Sequence, residues 1–190
     1  MTSSSEYLSR DELVNIGLAA CGRHVFISKA AAITHPQRLS LGDFVRIDAY
    51  SLINSSDSVT IGRNVHIGSS VTINAVAPIT IGDFAGISSG TKIFTSDDDY
   101  SGDYLTGPTV PEESSNLHIA PVEIGDHCVV GANSVILPGT VIEEGAVIGA
   151  LSLAKGRITS WAIHGGVPAK LIKKRSKKLL EKAAALTQTA

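Results

Sequence analysis

Asp97, Asp98 and Asp99 stand in a row and are followed by Tyr100, Ser101 and Gly102. Adjacent carboxylates can accept a proton, orient a hydroxyl or hold an ammonium. A free Asp titrates near 3.9 and is a weak base at pH 7. Burial, or like charges alongside, raises it. Two imidazoles are the other candidate proton carriers. His118 lies where this acidic stretch ends, and His66 falls between Val65 and Ile67. A third group is cationic: Lys170, Lys173, Lys174 and Arg175 follow Pro168 closely. Residues 170–190 carry seven Lys and Arg against one acid, whereas residues 1–169 carry nine against 17. A basic tail on an acidic body points to a local anion site. A nucleic-acid surface would need a broad basic face, so no nucleic-acid partner is expected.

The elements that must position these groups follow a period of six. Leu41, Ile47, Ile53, Ile61, Ile67, Ile73, Ile81, Ile87, Ile93, Ile124, Val130, Ile136, Ile142 and Ile148 fall on one register. The steps from 53 to 61 and from 73 to 81 are eight, and one gap runs from 93 to 124. Gly follows seven of the fourteen. Six is the period of neither a helix nor a plain strand. It suits a short strand plus a corner, three per turn of a triangular coil, with each aliphatic stacking on its equivalent in the next coil about 4.8 Å away. Composition agrees: 20 Ile and 18 Gly against 5% aromatic residues in 190. A narrow triangular core has little room for rings.

This pattern resembles the hexapeptide-repeat acyltransferases over about residues 22–175, in the branch that O-acetylates galactosides, maltose and xenobiotics. The resemblance implies an all-β fold, a left-handed parallel β-helix. The loop Asp98-Asp99-Tyr100-Ser101-Gly102 is similar to that of sugar acetyltransferases from polysaccharide gene clusters. Gly166-Val167-Pro168-Ala169-Lys170 looks like the family's Gly-x-Pro-Ala-Lys signature, which lies by the coenzyme A site. Acetyl-CoA is therefore the expected cosubstrate. Beside Pro168 of that signature, its phosphates would meet Lys155, Lys170, Lys173 and Arg175, whose cations suit such anions. By position, Gly131, Ala132, Gly149 and Ala150 would line the pantetheine arm.

Acyl transfer to a hydroxyl needs a base and a donor for the oxyanion. Counted forward from Ile79-Thr80-Ile81-Gly82, the position of the family's loop His falls on Asp98. Asp98, with His118 and His66 as alternatives, is the expected base. Asp97, Asp99, Tyr100, Ser70 and Ser88 are the expected acceptor-side residues. The family packs three prisms in parallel with sites between them, so a homotrimer is expected.

Along the chain, Ser9-Arg10-Asp11-Glu12 reads as a capping box opening a helix over 9–20. Coils are expected over 25–95 and 122–165, an excursion loop over 96–121 and a C-terminal helix over 171–186, all in one domain. Loops as long as 96–121 are uncommon and usually functional when ordered. Cys21 and Cys128 fit no disulfide framework or zinc spacing and are expected to be small buried hydrophobes. No metal is expected, since His-x4-His of the γ-class carbonic anhydrases is missing. Apolar runs fall short of a membrane span and the first residues lack signal-peptide features, which points to a cytoplasmic chain. The favoured function is O-acetylation of a sugar in surface polysaccharide or lipopolysaccharide synthesis. The alternatives are N-acetylation of a nucleotide-linked amino sugar and a non-catalytic assembly protein.

Overall fold

The computed structural model describes residues 6–187. It is a parallel β-helix whose short strands form three sheets of seven, eight and six members. The first face begins with Ala20–Cys21, Leu39–Leu41, Val59–Ile61 and Ile79–Ile81. The second carries Phe26–Ile27, Arg46–Ile47, His66–Ile67, Gly86–Ile87, Val129–Val130 and Val147–Ile148. The third includes Leu52–Asn54, Thr72–Asn74 and Lys92–Phe94. Strand partners lie 20 residues apart in the early coils, as Val59 to Ile79, and 18 apart later, as Glu123 to Val141. The extra pair sits at the corner after the third face.

Each of the fourteen register aliphatics is at most 3% exposed. They form one stacked column, and on the first face Leu39, Val59, Ile79 and Val122 join it as a second buried aliphatic per strand. Removing such a side chain by an Ile-to-Ala change costs about 2–5 kcal/mol.

Three boundaries differ from the sequence expectation. The first helix, α1, spans Arg10–Asn15 rather than 9–20. Its capping box forms: the Ser9 hydroxyl accepts from the Glu12 amide, and the Ser9 amide donates to Glu12 Oε2 at 2.6 Å. Gly17 then turns left-handed at φ 73° and ends it. The chain enters the first sheet at Ala20, so the coils begin earlier than residue 25. Leu8, Leu13, Ile16 and Leu18 close that end of the core.

At the other end the helix expected over 171–186 is instead a strand, Lys170–Lys174, followed by α2, Leu179–Thr187. The strand runs antiparallel to Ala162–Gly165 and finishes the second sheet. Gly165, Gly166 and Pro168 reverse the chain there, with Gly166 at φ 98°. An open sheet edge with unpaired carbonyls lies within reach, and pairing with it outweighs helix propensity.

The long excursion leaves after Thr95. This buried threonine fixes the corner: its Oγ1 accepts from the amides of Val76 (2.7 Å) and Ala77 (2.9 Å). Ser96–Asp97 and His118–Ile119 then pair as an antiparallel ribbon, and Val122 re-enters the first sheet beside Ile79. Cys128 is buried, and burial pushes its thiol up to about 11. Cys21 is exposed, against expectation, because it lies in the outermost strand of its sheet. Among the described residues no helix is long and apolar enough to cross a membrane.

Candidate active site

The corner between the second and third faces collects one residue per coil. Ile27, Ile47, Ile67, Ile87, Val130 and Ile148 are in register, so the residues after them stack as Ser28, Asp48, Gly68, Ser88, Gly131 and Gly149. With coils about 4.8 Å apart, Ser88 lies one step from Gly131 and two from Gly149. Buried hydroxyls pin this corner from inside. Ser51, Thr91 and Ser134 donate to the carbonyls of Gly68 (2.9 Å), Gly131 (3.2 Å) and Gly149 (2.9 Å).

The two expected donor glycines differ. A Cβ on Gly131 would lie 2.4 Å from the Ala150 amide nitrogen, so coil stacking alone demands that glycine. A Cβ on Gly149 would meet nothing nearer than 3.4 Å, an ordinary contact, and its φ is not left-handed. Only Gly149 is free of a packing reason. Ala132 is half-buried and Ala150 is exposed beside them.

Toward the N-terminal end the same face carries a charged cluster. Asp48 Oδ1 accepts from Arg46 Nε at 2.6 Å and from the Tyr7 hydroxyl at 3.4 Å. Asp48 Oδ2 lies 2.7 Å from His66 Nε2. Burial works to raise the Asp48 carboxyl, but the bonds from His66 and Arg46 outweigh it and hold it below the usual carboxylate range. A cavity of about 470 Å³ opens here, lined by Tyr7, Lys29, Arg46, Asp48 and Ser69 among others. A second, of about 210 Å³, lies between His66, Gly86, Ser88, Ser89 and Val129. His66 and Ser88 thus share one cavity. Ser70 is exposed at a left-handed corner position, φ 59°, outside that lining.

The acidic loop is ordered by its own carboxylates. Asp97 Oδ1 lies 3.1 Å from His118 Nδ1 across the ribbon. Asp98 Oδ1 accepts from the Gly107 amide at 3.1 Å. Asp99 accepts from the Ser101 hydroxyl, from Asn116 Nδ2 at 2.9 Å and from the Ser101 amide at 2.7 Å, and these donors hold it below its ordinary pKa. Tyr100 is 87% exposed. The loop leaves the corner between the third and first faces, a full face-width from the Ser88 column. Among the described residues no hydrogen bond joins 96–119 to His66, Ser70 or Ser88.

The cationic residues separate as well. Lys155, Pro168, Lys170 and Lys173 are exposed at the last coils. Arg175 is committed elsewhere: Nη1 donates to the carbonyls of His127 (2.7 Å) and Gly145 (2.9 Å). It ties the end of the C-terminal strand to the first-to-second corner.

Sequence reasoning missed Arg46, Asp48, Gly86 and Tyr7. A signal for Asp48 was present. It is the one acid in a column otherwise built of Ser and Gly.

Two family models match the chain: bacterial transferase hexapeptide (six repeats) over residues 121–153, and hexapeptide repeat of succinyl-transferase over 58–94. The chain is 37% identical over 176 residues to the dTDP-4-amino-4,6-dideoxy-D-glucose acyltransferase of Escherichia coli, covering 92% of each protein. It is 37% identical over 99 residues to WbbJ of Escherichia coli K12, a putative lipopolysaccharide O-acetyl transferase, covering 49% of this chain and 50% of that one. The solved structure of AntD, an N-acyltransferase from Bacillus cereus in complex with dTDP and 3-hydroxybutyryl-CoA, superposes with a TM-score of 0.93 at 37% identity over 97% of each chain. AntD has also been solved with a serine substituted, bound to dTDP-4-amino-4,6-dideoxyglucose and coenzyme A, and with an aspartate ten residues further on substituted. The six-residue register, the three stacked sheets and these near full-length matches place the chain in the hexapeptide-repeat acyltransferase family.

Proposed function

We propose that this chain transfers an acyl group from acyl-coenzyme A to the amino group of a nucleotide-linked amino sugar. The carrying observation is the extent of likeness. At equal identity, the relative that acts on an amino sugar matches 92% of the chain, and the relative named for O-acetyl transfer matches half. This reverses the sequence preference for a hydroxyl acceptor. That preference rested on the branch resemblance, which carries little about the acceptor atom.

Roles follow from position. Ser88 and Asp98 stand ten residues apart, the spacing of the serine and aspartate substituted in AntD. In this reading Ser88 marks the reacting end of the corner column, and Gly149 with Lys155, Lys170 and Lys173 marks the donor end. The amine nitrogen attacks the thioester carbonyl, the C–N bond forms and the C–S bond breaks. The nitrogen sheds its proton and the departing thiolate is protonated, leaving an amide and free coenzyme A. Asp98 holds the acceptor amino group in place, and the proton that the attacking nitrogen sheds balances the one taken up by the thiolate. His118 is spent on Asp97 and serves the ribbon. Because Asp98 and Ser88 lie on different corners of one prism, they meet only if the loop of one copy reaches the column of another. In this reading the copies form the homotrimer that the family resemblance implies.

The test is incubation with acetyl-CoA and dTDP-4-amino-4,6-dideoxyglucose, following thiol release and product mass. One acetyl added on nitrogen is expected. Equal transfer to the sugar bearing a hydroxyl in place of the amine would return the O-transfer reading. Light scattering should give about three times the 19.8 kDa chain mass. A monomer would separate Asp98 from Ser88 and sink the shared site.

A further inference from the structure

Most glycines of the repeat are demanded by stacking. A Cβ on Gly62 or Gly82 would lie 2.4 or 2.3 Å from the carboxylate of Asp83 or Asp126, and one on Gly68 would lie 2.8 Å from the Ser89 amide. Gly86 is different. A Cβ there would meet nothing within 4 Å, and its φ is not left-handed. It sits inside a strand, where glycine costs conformational entropy and packs nothing. Its in-register neighbours on the outward row are His66 and Val129, both with large side chains. No fold-level reason for glycine remains at this position.

What the missing side chain leaves is a notch. It is the cavity of about 210 Å³ walled by His66 on one side and Val129 on the other, with Ser88 and Ser89 along the corner. The His66 wall is fixed, since Nε2 is held by Asp48 at 2.7 Å and Asp48 is held in turn by Arg46. The notch opens beside the Ser88 step of the column, below Gly131. Its rim offers an imidazole and two hydroxyls, and its far wall is a valine. Polar edges with one apolar wall suit a pyranose ring, which carries hydroxyls around a C–H face. An acyl chain would call for an apolar rim.

We propose that Gly86 is a specificity-determining residue that keeps open the space for the sugar ring of the acceptor, between the fixed His66 and Val129. The proposal rests on the acyltransferase reading above and adds where the sugar lies and what limits its size.

The experiment compares Gly86→Ala and Gly86→Val with the wild type. Thermal unfolding should be unchanged or slightly raised in both, because the space is open. Acetyl-CoA affinity by calorimetry should stay within about twofold. KM for dTDP-4-amino-4,6-dideoxyglucose should rise about tenfold with Ala, and turnover should be lost with Val. An unchanged acceptor KM in Gly86→Val would overturn the proposal. Equal weakening of acetyl-CoA and acceptor would also overturn it, since the notch would then serve the donor. Failure of the wild type on this amino sugar would instead sink the functional reading. The same KM comparison would then be run with the sugar that the wild type does acylate, because the inference concerns room for a ring and not the atom modified.

Discussion

Asp48 receives His66 Nε2 at 2.7 Å on one carboxylate oxygen and Arg46 Nε at 2.6 Å on the other, and so links two successive coils on the outside of the prism. The bridge links the linings of the two cavities on the second face, since Asp48 belongs to one and His66 to the other. It also gives the fold a defined response to acid. The folded carboxyl is held below its ordinary value, so the stability it contributes is complete above the unfolded value near 3.9. That stability is lost as pH falls through the folded value. Asp48→Asn should therefore lower stability at pH 7 and flatten the acid limb below about pH 4. Arg46 and His66 are about half exposed, which screens the pair, so the loss is about 1 kcal/mol. For a chain of this size that is about 2–4 °C in Tm. Equal Tm in both proteins at pH 7 would show the bridge to be ornamental.

Gly131 and Gly149 occupy equivalent places one coil apart, and the structure separates their reasons. Gly131→Ala puts a methyl 2.4 Å from a backbone nitrogen, so coils must part, at a cost of about 1–3 kcal/mol. Gly149→Ala meets only an ordinary 3.4 Å contact and should fold as the wild type does. If the pantetheine arm runs against this corner, Gly149→Ala should still weaken acetyl-CoA binding about tenfold. Denaturation and calorimetry on the two variants check both halves. A Gly149→Ala protein with full affinity would move the arm off this corner.

Asp98 distinguishes the two acceptor chemistries. An amine acceptor can react from its neutral form, and Asp98 then chiefly holds it. Asp98→Ala should raise acceptor KM about 10- to 100-fold with kcat changed less than tenfold. A hydroxyl acceptor needs its proton removed in the transition state, and the loss would fall on kcat by about 10²–10⁴. Steady-state kinetics with the acceptor varied gives the split directly.

The fold and the candidate site were legible to different degrees. The Ile register, for example Ile67, Ile73 and Ile81, could be read directly, because the inward position recurs every six residues and is buried in each coil. The loop was legible as the place where that recurrence lapses, at Thr95. The C-terminal strand was not. Lys170-Leu171-Ile172-Lys173-Lys174 mixes apolar and basic residues in an order that suits a helix as well as a strand, and only the open edge at Ala162–Gly165 decides. Asp48 and Gly86 were hidden for another reason. Their significance lies in what stands 18, 20 or 43 residues away in a neighbouring coil, and a period-six reading shows the inward side of the coil better than its outer face. Arg175 read as a phosphate cation because charge is visible in sequence, whereas its two carbonyl partners, of His127 and Gly145, are not.

His164 supplies the last prediction. It is 6% exposed in the strand that carries the C-terminal edge, its Nε2 lies 3.2 Å from the Thr159 hydroxyl, and among the described residues its Nδ1 has no hydrogen-bond partner. Burial lowers its pKa. The unfolded imidazole, near 6.5, takes a proton before the folded one does. Stability from this group is therefore complete above about pH 6.5 and is lost as pH falls from there through the folded value. The strand Lys170–Lys174 pairs directly with His164, so acid should loosen the edge that presents Lys170 and Lys173. Tm measured from pH 8 to pH 5 should fall more steeply for the wild type than for His164→Leu. Amide exchange at 170–174 should accelerate over the same range in the wild type alone. Parallel Tm curves for the two proteins would mean that the buried imidazole does not govern this edge.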